Sequence, residues 1–329
     1  MVLVSEARQS GAQVRGTALR AFVSRYAVLV AFAATIVFFC IARPESFATW
    51  SNVTSILGLA APAAIIAIGL TFVLVTGDFD LSFASIVGLG AGATIELLMH
   101  GWGVLPAIAL ALAIGVAVGL ANGFLIVVVG TDSFITTLAM GVSVTGIEYA
   151  FTNQDTIYGK LPPGFTDFTA GSWVGDINNL VIIALLLAVV AAVVLDRTEV
   201  GRYAYAAGDN AEAARLSGVR TTRLKIGAFV IMGALAAVTG ALLVGQANSY
   251  SPNVGASYLL PAYAAAFLGT ATLRPGAFTV FGTVVGVLFL GVIQTGLTMM
   301  SLDTWAINFV QGAILLAAIV LSKASRARG

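Results

Sequence analysis

Long apolar segments separated by short polar ones run through almost the whole sequence. Dividing it at charged residues, Pro/Gly clusters and polar runs gives ten segments, most of them near the roughly 20 residues that a helix needs to cross a bilayer. The predicted spans are residues 26–42, 55–76, 82–99, 104–129, 134–151, 180–195, 226–244, 259–273, 277–300 and 305–322. A transmembrane barrel would alternate apolar and polar residues instead of keeping such unbroken runs. The pattern therefore predicts an all-α polytopic membrane protein with about ten transmembrane helices.

The composition supports a membrane protein. Hydrophobic residues make up 59% of the 329 residues and charged residues 9%, whereas soluble domains average about 45–50% and about 25%. The net charge of +1 gives no electrostatic basis for binding nucleic acid. Cys40 is the only cysteine, so the chain has neither an internal disulfide nor a thiolate metal site. A soluble domain and a nucleic-acid-binding protein are both disfavoured.

The basic residues predict the orientation of the spans. Residues 1–25 form an N-terminal segment before an uncleaved first span, residues 26–322 form the membrane domain, and residues 323–329 form a tail. With the N-terminus inside, fourteen of the sixteen basic residues are cytoplasmic: Arg8, Arg15, Arg20, Arg25, Arg197, Arg202, Arg215, Arg220, Arg223, Lys225, Arg274, Lys323, Arg326 and Arg328. Only Arg43 and Lys160 lie outside. Because cytoplasmic loops are enriched in Lys and Arg, both termini are predicted to be cytoplasmic.

Small residues and prolines indicate how the spans pack. Two spans carry glycines at intervals of four residues, which lets neighbouring helices approach closely. These glycines are Gly115, Gly119 and Gly123 in the fourth span, and Gly282 and Gly286 in the ninth. Pro62 and Pro261, near the starts of two spans, predict kinked or discontinuous helices.

Nothing in the sequence predicts an enzyme, a cofactor or a metal site. His100 is the only histidine and falls in a short outer turn, where an interfacial polar residue is expected. The only Gly-Lys pair, Gly159-Lys160, is followed by Leu161, so no phosphate-binding P-loop occurs. Any ATP hydrolysis would have to be carried out by another subunit.

The polar residues near the membrane suggest structural or pathway roles. Residues 76–82, which we call the acidic turn, contain Asp78, Phe79, Asp80 and Ser82 at the cytoplasmic end of the second and third spans. Asp80 can cap the third helix, and the turn can equally line an inner gate. Asn122, within the fourth span, can hydrogen-bond to a polar solute or to a neighbouring helix.

Two glutamates lie near the outer ends of their spans. Glu96 belongs to the third span and Glu148 to the fifth, and both are close enough to the interface for their side chains to reach water. They are predicted to have structural or vestibule roles.

A charged loop at residues 196–225 is the most informative segment. We call it the docking loop; it holds ten of the 31 charged residues. Asp209 and Glu212 match an acidic capping box, and Gly218 supplies a stop, so a short helix is predicted over residues 210–217. At about 1.5 Å per residue this helix is too short to cross a bilayer. It can bind a soluble partner or pack against its own bundle.

The docking loop also carries a family resemblance. Residues 200–219 resemble the signature of ribose-type ABC importer permeases, which use this stretch as the coupling helix that docks into the ATP-hydrolysing subunit. The resemblance assigns coupling to Gly208, Asp209, Asn210, Glu212, Arg215, Leu216, Ser217 and Gly218. It extends to residues 80–85, 134–138, 149–153, 268–270 and 282–283, and adds Phe134 and Thr136 as candidates for the translocation path.

The resemblance implies a complete importer. It implies a fold like the type II importers related to the cobalamin transporters, with two permease copies or paralogues around a central path in the bacterial inner membrane. Cytoplasmic ATP-binding subunits and a periplasmic or extracytoplasmic binding protein complete the assembly, which imports a monosaccharide. Permeases for branched-chain amino acids or another small solute are the nearest alternative. An ion-coupled secondary transporter would need more ionisable groups at the midplane.

The sequence departs from the family pattern at a few positions. Asp78 and Ala84 stand where glycines are common, Leu260-Pro261 replaces an acidic stretch, and Arg274-Pro275 replaces small residues. These departures affect the identity of the solute more than the class of transporter.

Overall fold

The computed structural model describes residues 26, 28–272, 274 and 276–326. The predicted N-terminal segment 1–25 with its four arginines, Leu273, Pro275 and the last residues of the tail, 327–329, lie outside the described residues.

Helices account for most of the described chain. They are α1 (Val28–Ala42), α2 (Trp50–Val75), α3 (Phe83–Met99), α4 (Val104–Phe124), α5 (Ser133–Thr152), α6 (Pro163–Ala170), α7 (Asn179–Arg197), α8 (Glu199–Asp209), α9 (Ala211–Leu216), α10 (Thr221–Ala247), α11 (Ala256–Gly269), α12 (Val280–Met299) and α13 (Thr304–Arg326). A π-helical turn, Leu125–Val129, extends α4. The short strands β1 (Ile157–Tyr158), β2 (Ser172–Val174), β3 (Ile177–Asn178) and β4 (Ser249–Tyr250) form two antiparallel pairs, β1 with β4 and β2 with β3.

All ten predicted apolar segments coincide with helices, and the prediction of a polytopic helical membrane protein is confirmed. Six helices in the described part of the chain are long and apolar enough to span a membrane: α2, α4 with its π-helical turn, α5, α7, α10 and α12. The other four segments form the shorter apolar helices α1, α3 and α11 and the apolar stretch Thr304–Ala317 of α13. The hydropathy pattern did not predict α6 or α8 as separate helices.

The centre of the bundle is formed by α2, α3 and α10. Helix α10 packs against α2, α3 and α4, while α12 packs against α2 and α11. Ile66 and Leu70 of α2 and Phe229 of α10 are completely buried in this core. By contrast, α4, α5 and α7 each expose an apolar face, as expected for helices in contact with lipid.

The predicted close contact along the fourth span is confirmed. Gly115, Gly119 and Gly123 face α10, and a Cβ atom at Gly115 would overlap the carbonyl oxygen of Gly233. In a bilayer the hydrophobic effect does not drive helices together, because lipid tails are as apolar as the side chains. Close packing of the two backbones stabilises the helix pair instead. Gly282 and Gly286 of α12 pack in the same way against α11.

Neither proline interrupts its helix. Pro62 lies well inside α2 because that helix begins at Trp50, where the Thr49 hydroxyl accepts a hydrogen bond from the Asn52 amide at 3.2 Å. Pro261 lies inside α11. The expectation of a discontinuity at these two positions is therefore wrong, and the alternative of a kink stays a prediction.

Candidate functional site

The docking loop contains two helices, α8 and α9, which are separated by one residue with extended backbone angles. Thr198 caps α8, and its hydroxyl accepts a 3.4 Å hydrogen bond from the Gly201 amide. Asn210 has extended backbone angles between α8 and α9, and its side chain accepts from the Ala213 amide at 3.0 Å. The short helix predicted over residues 210–217 is confirmed, but its cap is Asn210. Asp209 instead ends α8 and does not form the predicted capping box.

Helix α9 presents most of its surface outward. Gly218 has a positive φ of 86°, a conformation that glycine adopts without strain, and it follows the end of the helix. The Ser217 hydroxyl donates to the Ala213 carbonyl at 2.9 Å. Arg215 and Glu212 form a 2.8 Å ion pair that is exposed, and Leu216 is 78% exposed. Only Ala214 is buried, so packing within the subunit covers little of this helix.

A groove lies at the end of α9. It has a volume of about 330 Å³ and is lined by Tyr203, Ser217, Gly218, Val219, Arg220, Arg223 and Leu224. Two guanidinium groups beside an aromatic ring and aliphatic side chains suit an acidic or aromatic side chain of a protein partner.

The docking loop contacts the acidic turn through backbone atoms. Gly77 has a φ of 84° and lies against the carbonyl oxygen and Cα of Gly208 at the end of α8. A Cβ atom at Gly208 would overlap the carbonyl oxygen of Val75. Glycine at Gly208 therefore lets α8 touch the end of α2 directly.

An ion pair makes a second connection between these segments. The ammonium of Lys225, at the start of α10, lies 3.0 Å from the carboxylate of Asp78. Both side chains are mostly buried, 19% and 10% exposed respectively. Burial raises the pKa of Asp78, and the Lys225 charge acts in the opposite direction. Asp78 is thus a partner of the docking loop and not a solvent-facing residue.

Asp80 lies in a buried polar cluster. Its Oδ1 accepts hydrogen bonds from the backbone amide of Ser82 at 2.8 Å and from the Ser82 hydroxyl at 2.6 Å. The Ser82 hydroxyl in turn accepts from the side-chain amide of Asn122 at 2.8 Å. All three residues are completely buried. Burial raises the pKa of Asp80 to about 6, while the hydrogen bonds from Ser82 act to lower it.

This cluster ties α3 to α4. Asp80 does accept from a backbone amide at the start of α3, although Ser82 occupies the cap position itself. Asn122 uses its amide for a neighbouring helix, which was one of its two predicted alternatives.

Tyr263 of α11 holds the backbone of the acidic turn. Its hydroxyl donates to the Asp80 carbonyl at 2.8 Å and accepts from the Asp80 amide at 3.1 Å. The Phe79 ring stacks on Tyr263, with centroids 6.2 Å apart. No local pattern predicted this contact, because 183 residues separate the partners.

The start of α5 reaches the acidic turn through Ser133 and Thr137, which no sequence pattern singled out. The Ser133 hydroxyl accepts from the Phe79 amide at 3.2 Å, and the Thr137 hydroxyl from the Leu81 amide at 3.0 Å. Phe134 is 50% exposed, and Thr136 donates instead to Thr131. Residues four apart share a helix face, so Ser133 and Thr137 point at the turn while Phe134 and Thr136 do not join the cluster.

Glu148 forms a second buried polar site. Its Oε1 accepts hydrogen bonds from the Tyr250 hydroxyl at 2.7 Å and from the Asn253 amide at 2.8 Å. The residue is completely buried, so the expectation that its side chain reaches water is wrong. Gly88 of α3 leaves room for the carboxylate, since a Cβ atom there would overlap Oε2.

Glu96 differs from Glu148. Its side chain is 25% exposed and lies 3.6 Å from His100. Within the described residues, no three His, Cys, Asp or Glu side chains converge as metal ligands would.

Comparison with known proteins places this membrane bundle in a class of transport proteins. A family model described as the permease component of branched-chain amino acid transport systems matches residues 52–319. The chain belongs to this permease family, whose members are membrane subunits of ABC transporters and not enzymes themselves.

Individual relatives match over nearly the whole chain. It is 33% identical to the ribose import permease RbsC of Bacillus subtilis, covering 84% of this chain and 86% of that one. It is 31% identical to the L-arabinose transport permease AraH of Escherichia coli, covering 91% and 90%. A probable ABC transporter permease of Sinorhizobium fredii is also 31% identical, with coverage of 93% and 92%. No solved structure matches the chain.

Proposed function

We propose that this protein is the permease subunit of an ATP-driven importer that carries a monosaccharide across the bacterial inner membrane. The observation that carries this proposal is the near full-length similarity to permeases named for ribose and L-arabinose. The proposal includes ten spans with both termini in the cytoplasm, a type II importer fold and a second permease copy or paralogue. The unequal distribution of basic residues supports the orientation.

The proposed partners are cytoplasmic ATP-binding subunits and an extracytoplasmic sugar-binding protein. Helix α9 would receive the ATP-binding subunit, because Leu216, Glu212 and Arg215 are exposed on it and a basic groove lies at its end. Movement of α8 would reach the acidic turn through Gly208 and through the Asp78–Lys225 pair. A turn anchored on α4, α5 and α11 would then transmit that movement to the inner end of the path.

A small amino acid is the second candidate solute, favoured by the description of the matching family. The complex with co-purified ATP-binding subunits and binding protein, reconstituted in proteoliposomes, separates the two candidates. We expect ATP-dependent uptake of at least one of D-ribose, L-arabinose and D-xylose, and none of L-leucine. Uptake of L-leucine without uptake of any of these sugars would overturn the sugar assignment.

Removing the exposed ion pair of α9 should uncouple the importer. In the double variant Glu212→Ala/Arg215→Ala we expect sugar uptake per ATP hydrolysed to fall about tenfold, the size of effect that loss of a central interface contact produces. The ion pair is exposed, so the permease should still insert and fold. Uptake and ATP hydrolysis are measured on the same proteoliposomes.

Helix α8 offers a matched control. Glu199 and Arg202 form an exposed ion pair with the same spacing, 3.5 Å apart. The variant Glu199→Ala/Arg202→Ala should keep most of the coupling. Equal coupling in the two double variants would show that α9 is not the docking helix.

A further inference from the structure

A mostly apolar groove that carries a few uncharged polar side chains runs between α2, α11, α12 and α13. One part of it has a volume of about 290 Å³ and includes Ser257, Asn308 and Gln311. An adjoining part includes Gln294 and again Gln311. The Gln311 amide donates to the Gln294 side-chain oxygen at 3.4 Å. The two parts are therefore joined by Gln311, which lines both of them.

These amides lie within the hydrophobic length of their helices. Gln294 is five residues from the end of α12 and Gln311 seven residues from the start of α13, which places them about 7–10 Å along the helix axes from the connection between these helices. Hydrocarbon offers no hydrogen-bond partners, so exposing amides to lipid at this depth has a high free-energy cost. This face therefore borders a polar path or another polar surface.

The chemistry of the groove matches a neutral polyol. Side-chain amides both donate and accept hydrogen bonds, as sugar hydroxyls do. Leu260, Pro261 and Leu290 supply an apolar wall for the C–H face of a sugar ring. None of the residues that line either part is Asp, Glu, Lys or Arg. An amino-acid zwitterion would leave two charges without partners there, at a high desolvation cost.

We propose that Gln294, Asn308 and Gln311 form a binding site for a neutral polyhydroxylated solute in the outer half of the translocation path. This rests on the proposed function, which supplies the orientation and the transport activity. In that orientation the α12–α13 connection is extracytoplasmic, so the groove is the first part of the permease to meet a sugar released by the binding protein.

The test compares matched substitutions in the complete reconstituted complex. Gln294→Leu/Gln311→Leu removes the amides at similar volume, and we expect uptake of the sugar imported by the wild type to fall about tenfold, as loss of one or two hydrogen bonds produces. Gln246→Leu serves as the control, because Gln246 of α10 does not line either part of the groove. Gln246→Leu should keep normal uptake and basal ATP hydrolysis, and both variants should assemble normally.

A second measurement reads solute binding directly. Asn308→Cys in a Cys40→Ser background should react with a membrane-impermeant maleimide added outside. The imported sugar should slow that reaction, and L-leucine should not. A wild-type complex that imports none of the three sugars overturns the proposed function itself.

Two results would overturn the site while leaving that function intact. One is sugar uptake by the double-leucine variant equal to that of Gln246→Leu. The other is dissociation of the double-leucine variant into single permease subunits, which would show that the amides pair between copies of the chain.

Discussion

Replacing Gly233 with alanine should destabilise the bundle, whereas the same replacement at Gly227 should not. Both glycines lie in α10, and alanine usually stabilises a helix interior by about 1 kcal/mol relative to glycine. A Cβ atom at Gly233 would overlap the carbonyl oxygen of Gly115, but nothing lies within 4 Å of the corresponding position at Gly227. The overlap forces α4 and α10 apart, at a cost of about 1–3 kcal/mol.

The two substitutions are therefore expected to have opposite signs. The measurement is the thermal midpoint of the detergent-solubilised permease, together with the yield of monodisperse protein. Gly233→Ala should lower both, and Gly227→Ala should leave both unchanged or raise them. Equal midpoints in the two variants would contradict the close approach of α4 and α10.

Glu148→Leu should cause the second large loss of stability. The substitution removes Oε1 and leaves the buried Tyr250 hydroxyl and the partly buried Asn253 amide without that acceptor. An unsatisfied buried donor costs about 1–3 kcal/mol. Thr152 lies 3.2 Å from the Tyr250 hydroxyl and can compensate for part of the loss. The thermal midpoint and the uptake rate of the reconstituted complex measure the effect.

Two controls separate hydrogen bonding from the general effect of removing a carboxylate. Glu148→Gln keeps one acceptor oxygen at nearly the same volume and should retain much of the stability. Glu96→Leu removes a glutamate whose side chain is 25% exposed and should change the midpoint little. A midpoint for Glu148→Gln as low as that for Glu148→Leu would show that the negative charge, and not the accepted hydrogen bonds, is what the site requires.

The contrast between these glutamates shows where sequence reasoning reaches its limit. Both occupy similar positions near the ends of apolar segments, so hydropathy gives them the same interpretation. Tyr250 and Asn253 contact Glu148 across more than a hundred residues of chain. Burial of Glu148 follows from that contact and from Gly88 on α3, neither of which leaves a periodic signal around residue 148.

The acidic turn also has contacts that local sequence patterns do not predict. The sequence located the turn, gave Asp80 a role at the start of α3 and offered a neighbouring helix as one partner for Asn122. The family resemblance assigned Phe134 and Thr136 of α5 to the path, which stays a prediction, and no sequence pattern singled out Ser133 and Thr137, which contact the turn. The choice between faces of α5 depends on how that helix is rotated, and rotation is fixed by packing against α3.

Local sequence patterns were sufficient to predict the helical membrane class, the positions of the apolar segments, the glycine faces of α4 and α12, and the short helix in the docking loop. Each of these follows from residues within a few turns of one another, because hydropathy, small-residue spacing and capping act locally. The packed structure was needed to show that Lys225 pairs with Asp78, that Tyr263 holds Asp80 and that Glu148 is buried. Those contacts join distant parts of the chain, and they form only when the helices pack at particular rotations and depths.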